Sequence, residues 1–175
     1  MIFSVKQTKI IIDYSFFLLL SFAVFYGYKN AVMIILFSCL HELGHLTALL
    51  LFNAKPNYIK LSFYGISLNY CNKLGRIKEL IVILCGPAVN LLLYLILKDE
   101  INLFLFIINM YPVLPLDGGR ALNTVFQNNG KFISLFFLVL LIGLSLYLLV
   151  IYKIWSLILI VIYLLIFNIK QMRFI

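Results

Sequence analysis

The sequence predicts an all-α polytopic membrane protein. Six transmembrane helices are expected, with a short membrane-associated β-hairpin after helix 2 and a broken helix 4. Three observations lead there. Of 175 residues, 65% are hydrophobic and only 11% are charged, against about 25% charged in an average soluble domain. Several apolar runs reach the roughly 18 to 20 residues that cross hydrocarbon. The 14 Lys and Arg residues also fall mostly on one side of a six-span layout, as the positive-inside rule requires.

The chain reads as a single membrane-embedded domain, 1–175. Span 1 covers about 10–28. The N-terminal apolar run is too long for a signal peptide, and no small-x-small cleavage site follows it. Lys29-Asn30 makes a short turn into span 2, about 31–52. Residues 56–72 change character: Ile59, Leu61 and Phe63 alternate with polar residues, and Ile66, Leu68 and Tyr70 do so again after Gly65. Period-two alternation about a glycine predicts a β-hairpin. It could lie at the interface or hold an extended peptide by β-augmentation.

Span 3, about 80–97, contains Gly86-Pro87 and the amide Asn90. Gly and Pro permit close packing and kinks in membrane helices. Asn90 could serve an interhelical hydrogen bond or a substrate contact. Span 4, about 101–128, is broken. Ile101 to Met110 extends only about 15 Å as helix, roughly half the hydrocarbon core, before Pro112 and Pro115 interrupt it. Irregular backbone at that depth must face protein or a watery cavity. Residues 131–169 would extend about 58 Å as one helix, so they must reverse, with Lys153 the expected turn between spans 5 (131–152) and 6 (154–170).

With a cytoplasmic N-terminus, 11 of the 14 basic residues lie inside and only Lys29, Lys98 and Lys153 lie outside. Both termini and the hairpin are then cytoplasmic. The net charge of +8 is thus accounted for by orientation, and no basic–aromatic cluster points to nucleic acid. Cys39, Cys71 and Cys85 lack disulfide or zinc-finger spacing and read as small apolar residues. The abundance of Ile, Asn and Lys points to a bacterial source.

The chemistry is concentrated in His41-Glu42-Leu43-Gly44-His45, near the middle of span 2. Residues four apart share a helix face, so His41 and His45 can reach one metal ion. Glu42, one step round, is placed as a general base. This H-E-x-x-H pattern is that of zinc hydrolases, and the chain has only these two histidines. A catalytic zinc takes three protein ligands. Asp13, Glu79, Asp99 and Glu100 fall at or near membrane surfaces in this layout, and Glu42 is needed as base. Asp117 remains, at comparable depth on the break in span 4. A carboxylate at a helix centre costs on the order of 2.5–3.5 kcal/mol on insertion scales, a cost that one Zn2+ per chain would offset. The site should open to the cytoplasmic side, since His45 lies nearer to it than His41. A non-catalytic zinc-containing membrane protein that binds tethered peptides is the alternative. Metal transport would call for repeat symmetry, and the sequence has no internal repeat.

His41-Glu42-Leu43-Gly44-His45, Gly86-Pro87-Ala88-Val89-Asn90 and Asn109 to Pro112 with Leu116-Asp117-Gly118-Gly119 occur in an order that resembles the site-2 protease family of intramembrane zinc metalloproteases. Cys85 departs from the family pattern, in which a second glycine is common. The resemblance implies His41, His45 and Asp117 as zinc ligands and Glu42 as catalytic base. It implies supporting or substrate-contacting roles for Asn90 and Asn109 within motifs that include Gly86, Pro87, Pro112, Gly118 and Gly119. The implied partners are a membrane-tethered protein substrate, membrane regulatory proteins and the lipid bilayer. Six spans with the core starting at the second are most similar to the sporulation factor IV FB branch. That branch would imply a pro-sigma factor substrate and a bacterial cytoplasmic or forespore membrane. The sequence has no room for a PDZ domain between His45 and Gly86 and no CBS domain before Ile175, so control by a CBS domain is not expected.

Overall fold

A computed structural model of the chain describes residues 2–5, 8–12, 21, 25, 27–54, 56–62, 65–70, 74–153 and 156–172. These form two compact units, Met1–Ile107 and Ile108–Ile175. The described chain is mostly helical and carries one four-stranded sheet.

The first unit begins with β1 (Ile2–Val5) and β2 (Thr8–Ile12). This corrects the expected start of span 1, since Ile10 to Ile12 are strand. Their β-branched side chains suit a pleated surface, and a short apolar run looks the same as the first turn of a buried helix. Residues 13–20, 22–24 and 26, most of that expected span, lie outside the described residues.

Pro56–Ser62 (β3) and Gly65–Tyr70 (β4) pair antiparallel, with Ile59 opposite Leu68 and Leu61 opposite Ile66. Residues 63–64 and 71–72, the turn and the end of the hairpin expected at 56–72, lie outside the described residues. The sheet order is β1-β2-β3-β4. β2 runs parallel to β3, with Lys9 opposite Tyr58 and Ile12 opposite Leu61. Parallel neighbours need a long crossover, and here the connection contains α1 (Lys29–Leu51).

In α1, buried Phe37, His41, Gly44, His45, Ala48 and Leu49 recur at helical spacing on one face. α2 (Arg76–Leu97) buries Val82, Ile83, Gly86, Pro87 and Asn90 in the same way. The two helices meet at Gly44, where an added Cβ would lie 2.7 Å from the Cys85 carbonyl oxygen and 2.8 Å from Val89 Cγ2. Ala48, Leu49, Ala54 and Val82 form the apolar cluster beside this contact. At the end of α1, Asn53 adopts the left-handed region (φ 55°) and the Ala54 N–H donates to the Leu49 carbonyl at 3.0 Å. This closes the helix in the usual αL manner. α3 (Glu100–Met110) follows Lys98, which takes the same left-handed conformation after α2.

The second unit holds α4 (Asp117–Phe126), a 3-10 turn at Gln127–Asn129, α5 (Gly130–Tyr152) and α6 (Ser156–Met172). Its core is Val113, Leu138 and Leu164, packed by Leu116, Phe137 and Ile160 among others. Lys153 ends α5 at φ 55°, so a non-glycine residue occupies the left-handed position where the chain stops its helix. α1, α2 and α5 are long and apolar enough to cross a membrane. Their outward faces carry large apolar side chains, such as Phe132 at 73% and Val139 at 63% exposure, which suits lipid rather than water.

Gly44→Leu should force α1 from α2 and destabilise the protein by about 1–3 kcal/mol, the usual range for overpacking. Gly143→Leu, where an added Cβ meets nothing within 4 Å, should not lower stability, since an interior helical glycine is itself unfavourable. Thermal unfolding of the two variants in the same detergent measures the difference.

Candidate metal centre

His41 and His45 stand one turn apart on α1, each only 4% exposed. Their rings meet edge-on, 4.8 Å between centroids and 83° between planes, and their Nε2 atoms are 3.1 Å apart. Glu42 is half-buried next to them. The ligand atoms of His41, Glu42 and His45 all lie within 4.8 Å of one another, and this group could hold a metal ion.

The packing of α2 fixes the rings. Nδ1 of His45 is 2.8 Å from the Val82 carbonyl oxygen. A carbonyl can only accept, so Nδ1–H donates and the lone pair of His45 sits on Nε2. Nδ1 of His41 is 3.0 Å from the side-chain amide of Asn90, which is fully buried. Gly86 lies beneath both rings: a Cβ there would collide with the His45 imidazole and come within 2.8 Å of His41 Nε2. Pro87 follows inside the helix and cannot donate to the carbonyl one turn back.

These residues fit a zinc ion. Two nitrogens on one tetrahedral zinc stand about 3.3 Å apart, given Zn–N distances of about 2.05 Å, and the observed separation is 3.1 Å. A second group holding the non-ligating nitrogen of a histidine is the usual companion of such a ligand.

The second unit gathers the remaining sequence-predicted residues. Asn109 lies in the last turn of α3, Pro112 in the loop 111–116, and Asp117 opens α4. Asp117 is buried, and Arg120 Nη1 donates to its Oδ1 at 3.1 Å. A carboxylate in a first helical turn is favoured by the helix dipole. Gly118 and Gly119 let α4 start against the backbone before it. A Cβ on Gly118 would collide with the Met110 carbonyl, and one on Gly119 with the backbone of Val113 and Leu114.

Sequence reasoning missed two residues here. The Leu114 N–H donates to Ser134 Oγ at 2.9 Å, and Asn168 Nδ2 donates to the Leu114 carbonyl at 2.7 Å. Asn168 also reaches the Leu164 carbonyl at 2.8 Å. Both backbone groups of Leu114 are thereby satisfied from α5 and α6. The available signal was the presence of two polar residues inside otherwise apolar runs.

The structure superposes on the site-2 protease from Methanocaldococcus jannaschii with a TM-score of 0.64, over 97% of this chain and 92% of that one, at 21% sequence identity. The chain has the site-2 protease fold. No family model matches the sequence, and no curated protein does. Within this fold the H-E-x-x-H helix is α1, and the helix beneath its imidazoles is α2.

Gly86→Ala should place a methyl group against both imidazoles and abolish zinc binding while the helices still form. Metal analysis of the purified protein, with circular dichroism on the same sample, checks both halves.

Proposed function

We propose that the chain is an intramembrane zinc endopeptidase that cleaves membrane-tethered proteins. The observation that carries this reading is the pair of buried imidazoles, 3.1 Å apart at Nε2 with Glu42 beside them, on a helix long and apolar enough to cross a membrane in a site-2 protease fold.

His41 and His45 would hold the zinc through Nε2, and Asp117 is the proposed third ligand. Zinc, when bound, supplies Lewis-acid polarisation of the scissile carbonyl and lowers the pKa of water. Glu42 takes the proton of the attacking water and delivers it to the leaving amide nitrogen. Val82, through its carbonyl, keeps the proton of His45 on Nδ1. Asn109 is proposed to support the substrate or the loop beside it.

The rest of the reading follows from the charge pattern and the resemblance. Six spans, cytoplasmic termini and a site open to the cytoplasmic side are proposed from the distribution of Lys and Arg. The β3–β4 pair is proposed to hold an unwound substrate segment by strand addition. A membrane-tethered sigma-factor precursor is the narrower substrate proposal, resting on the sequence resemblance alone.

Glu42→Gln should lower cleavage of a tethered test substrate by about 10²–10⁴-fold, the usual contribution of a general base, with zinc content unchanged. Asp117→Ala should lower both. Wild-type cleavage by Glu42→Gln would remove the base, and undiminished zinc in Asp117→Ala would put the third ligand elsewhere. A zinc-loaded wild type that never cleaves would favour a non-catalytic peptide-binding protein.

A further inference from the structure

Asn90 is fully buried on α2, one turn beyond Gly86. Its Nδ2 lies 3.0 Å from His41 Nδ1, and in this orientation its Oδ1 has no hydrogen-bond partner among the described residues. A half-turn of the amide exchanges the two atoms without changing its shape, so the proton on the imidazole decides which atom faces the ring.

A neutral imidazole carries one N–H. That of His45 is engaged by the Val82 carbonyl, so His45 Nε2 offers a lone pair. Two arrangements remain for His41. If the amide N–H of Asn90 donates to Nδ1, the His41 proton sits on Nε2 and bridges to His45 Nε2, 3.1 Å away. A proton then occupies the place of a metal. If Asn90 Oδ1 instead accepts from Nδ1–H, both Nε2 lone pairs face each other at that distance. They repel unless a cation lies between them.

We infer that Asn90 is a positioning residue: its Oδ1 accepts a hydrogen bond from His41 Nδ1–H and so fixes Nε2 of His41 as a metal ligand. It does for His41 what the Val82 carbonyl does for His45. This inference rests on the zinc reading above. It assigns Asn90 a single role, as hydrogen-bond acceptor, in place of a substrate contact or a simple helix–helix tie.

The roles of donor and acceptor separate in two variants. Asp has nearly the shape of Asn, but its ionised carboxylate only accepts; Ala does neither. Zinc affinity of the full-length protein in detergent, read by competition with a chromophoric chelator, should fall about 10–100-fold in Asn90→Ala, the usual effect of losing such a partner. Asn90→Asp should match or exceed wild type. Asn90→Asp as weak as Asn90→Ala, or Asn90→Ala as tight as wild type, would overturn the inference. Should Asn90→Ala fail to fold, Asn90→Asp decides alone, since retained zinc supports the acceptor role and lost zinc refutes it. A wild-type protein that takes up no zinc would defeat the proposed function itself, whereas wild-type binding with an indifferent Asn90→Ala would defeat only this step.

Discussion

Two helices approach to backbone distance at Gly44 and Gly86, and the candidate metal centre depends on that approach. A side chain at Gly44 would meet the Cys85 carbonyl, and one at Gly86 would occupy the space of the imidazoles. Apolar surface gives helices in lipid little reason to associate, so small residues that permit close contact carry the packing. Here the same closeness brings the Val82 carbonyl and the Asn90 amide within hydrogen-bond reach of the two rings. Widening the gap would cost the rings their orientation before it cost the helices their fold.

The second unit solves a different problem. Its loop 111–116 carries backbone groups that lie outside any helical ladder, and such groups are expensive to leave unpaired wherever water is absent. Ser134 and Asn168 meet the N–H and carbonyl of Leu114 from two separate helices, and Tyr111 donates to the Phe137 carbonyl at 3.3 Å. α5 and α6 therefore act as partners of the loop as well as apolar spans. The first turn of α4 follows directly, with Asp117 at its start and two glycines packed against the preceding backbone.

The motif residues were legible because their spacing is itself geometry: i and i+4 on a helix share a face, and the two prolines announced a break. The reversal near Lys153 was expected on two grounds: one helix of that length could not fit, and Lys153, between Tyr152 and Trp155, is the charge that interrupts the apolar run. The N-terminal strands were not, because Ile10 to Ile12 is a short apolar run with no alternation to separate strand from helix. β2 became a strand only by pairing with β1 and with the distant β3, a non-local fact. Ser134 and Asn168 passed for incidental polar residues because their partner, the backbone of Leu114, leaves no mark in the sequence. The role of the Val82 carbonyl is equally invisible, since any residue supplies one.

Those partners share one property that lipid makes significant. The groups that hold the two imidazoles are a carbonyl and an amide, both neutral. At other zinc sites a carboxylate often does this work. At membrane depth each additional carboxylate adds on the order of 2.5–3.5 kcal/mol on insertion scales, and α1 already carries Glu42. A neutral acceptor fixes a tautomer through one hydrogen bond without adding charge to be desolvated. In the proposed mechanism carboxylates are reserved for positions where charge itself acts, on the proton or on a cation. That division accounts for an asparagine, rather than an aspartate, behind His41.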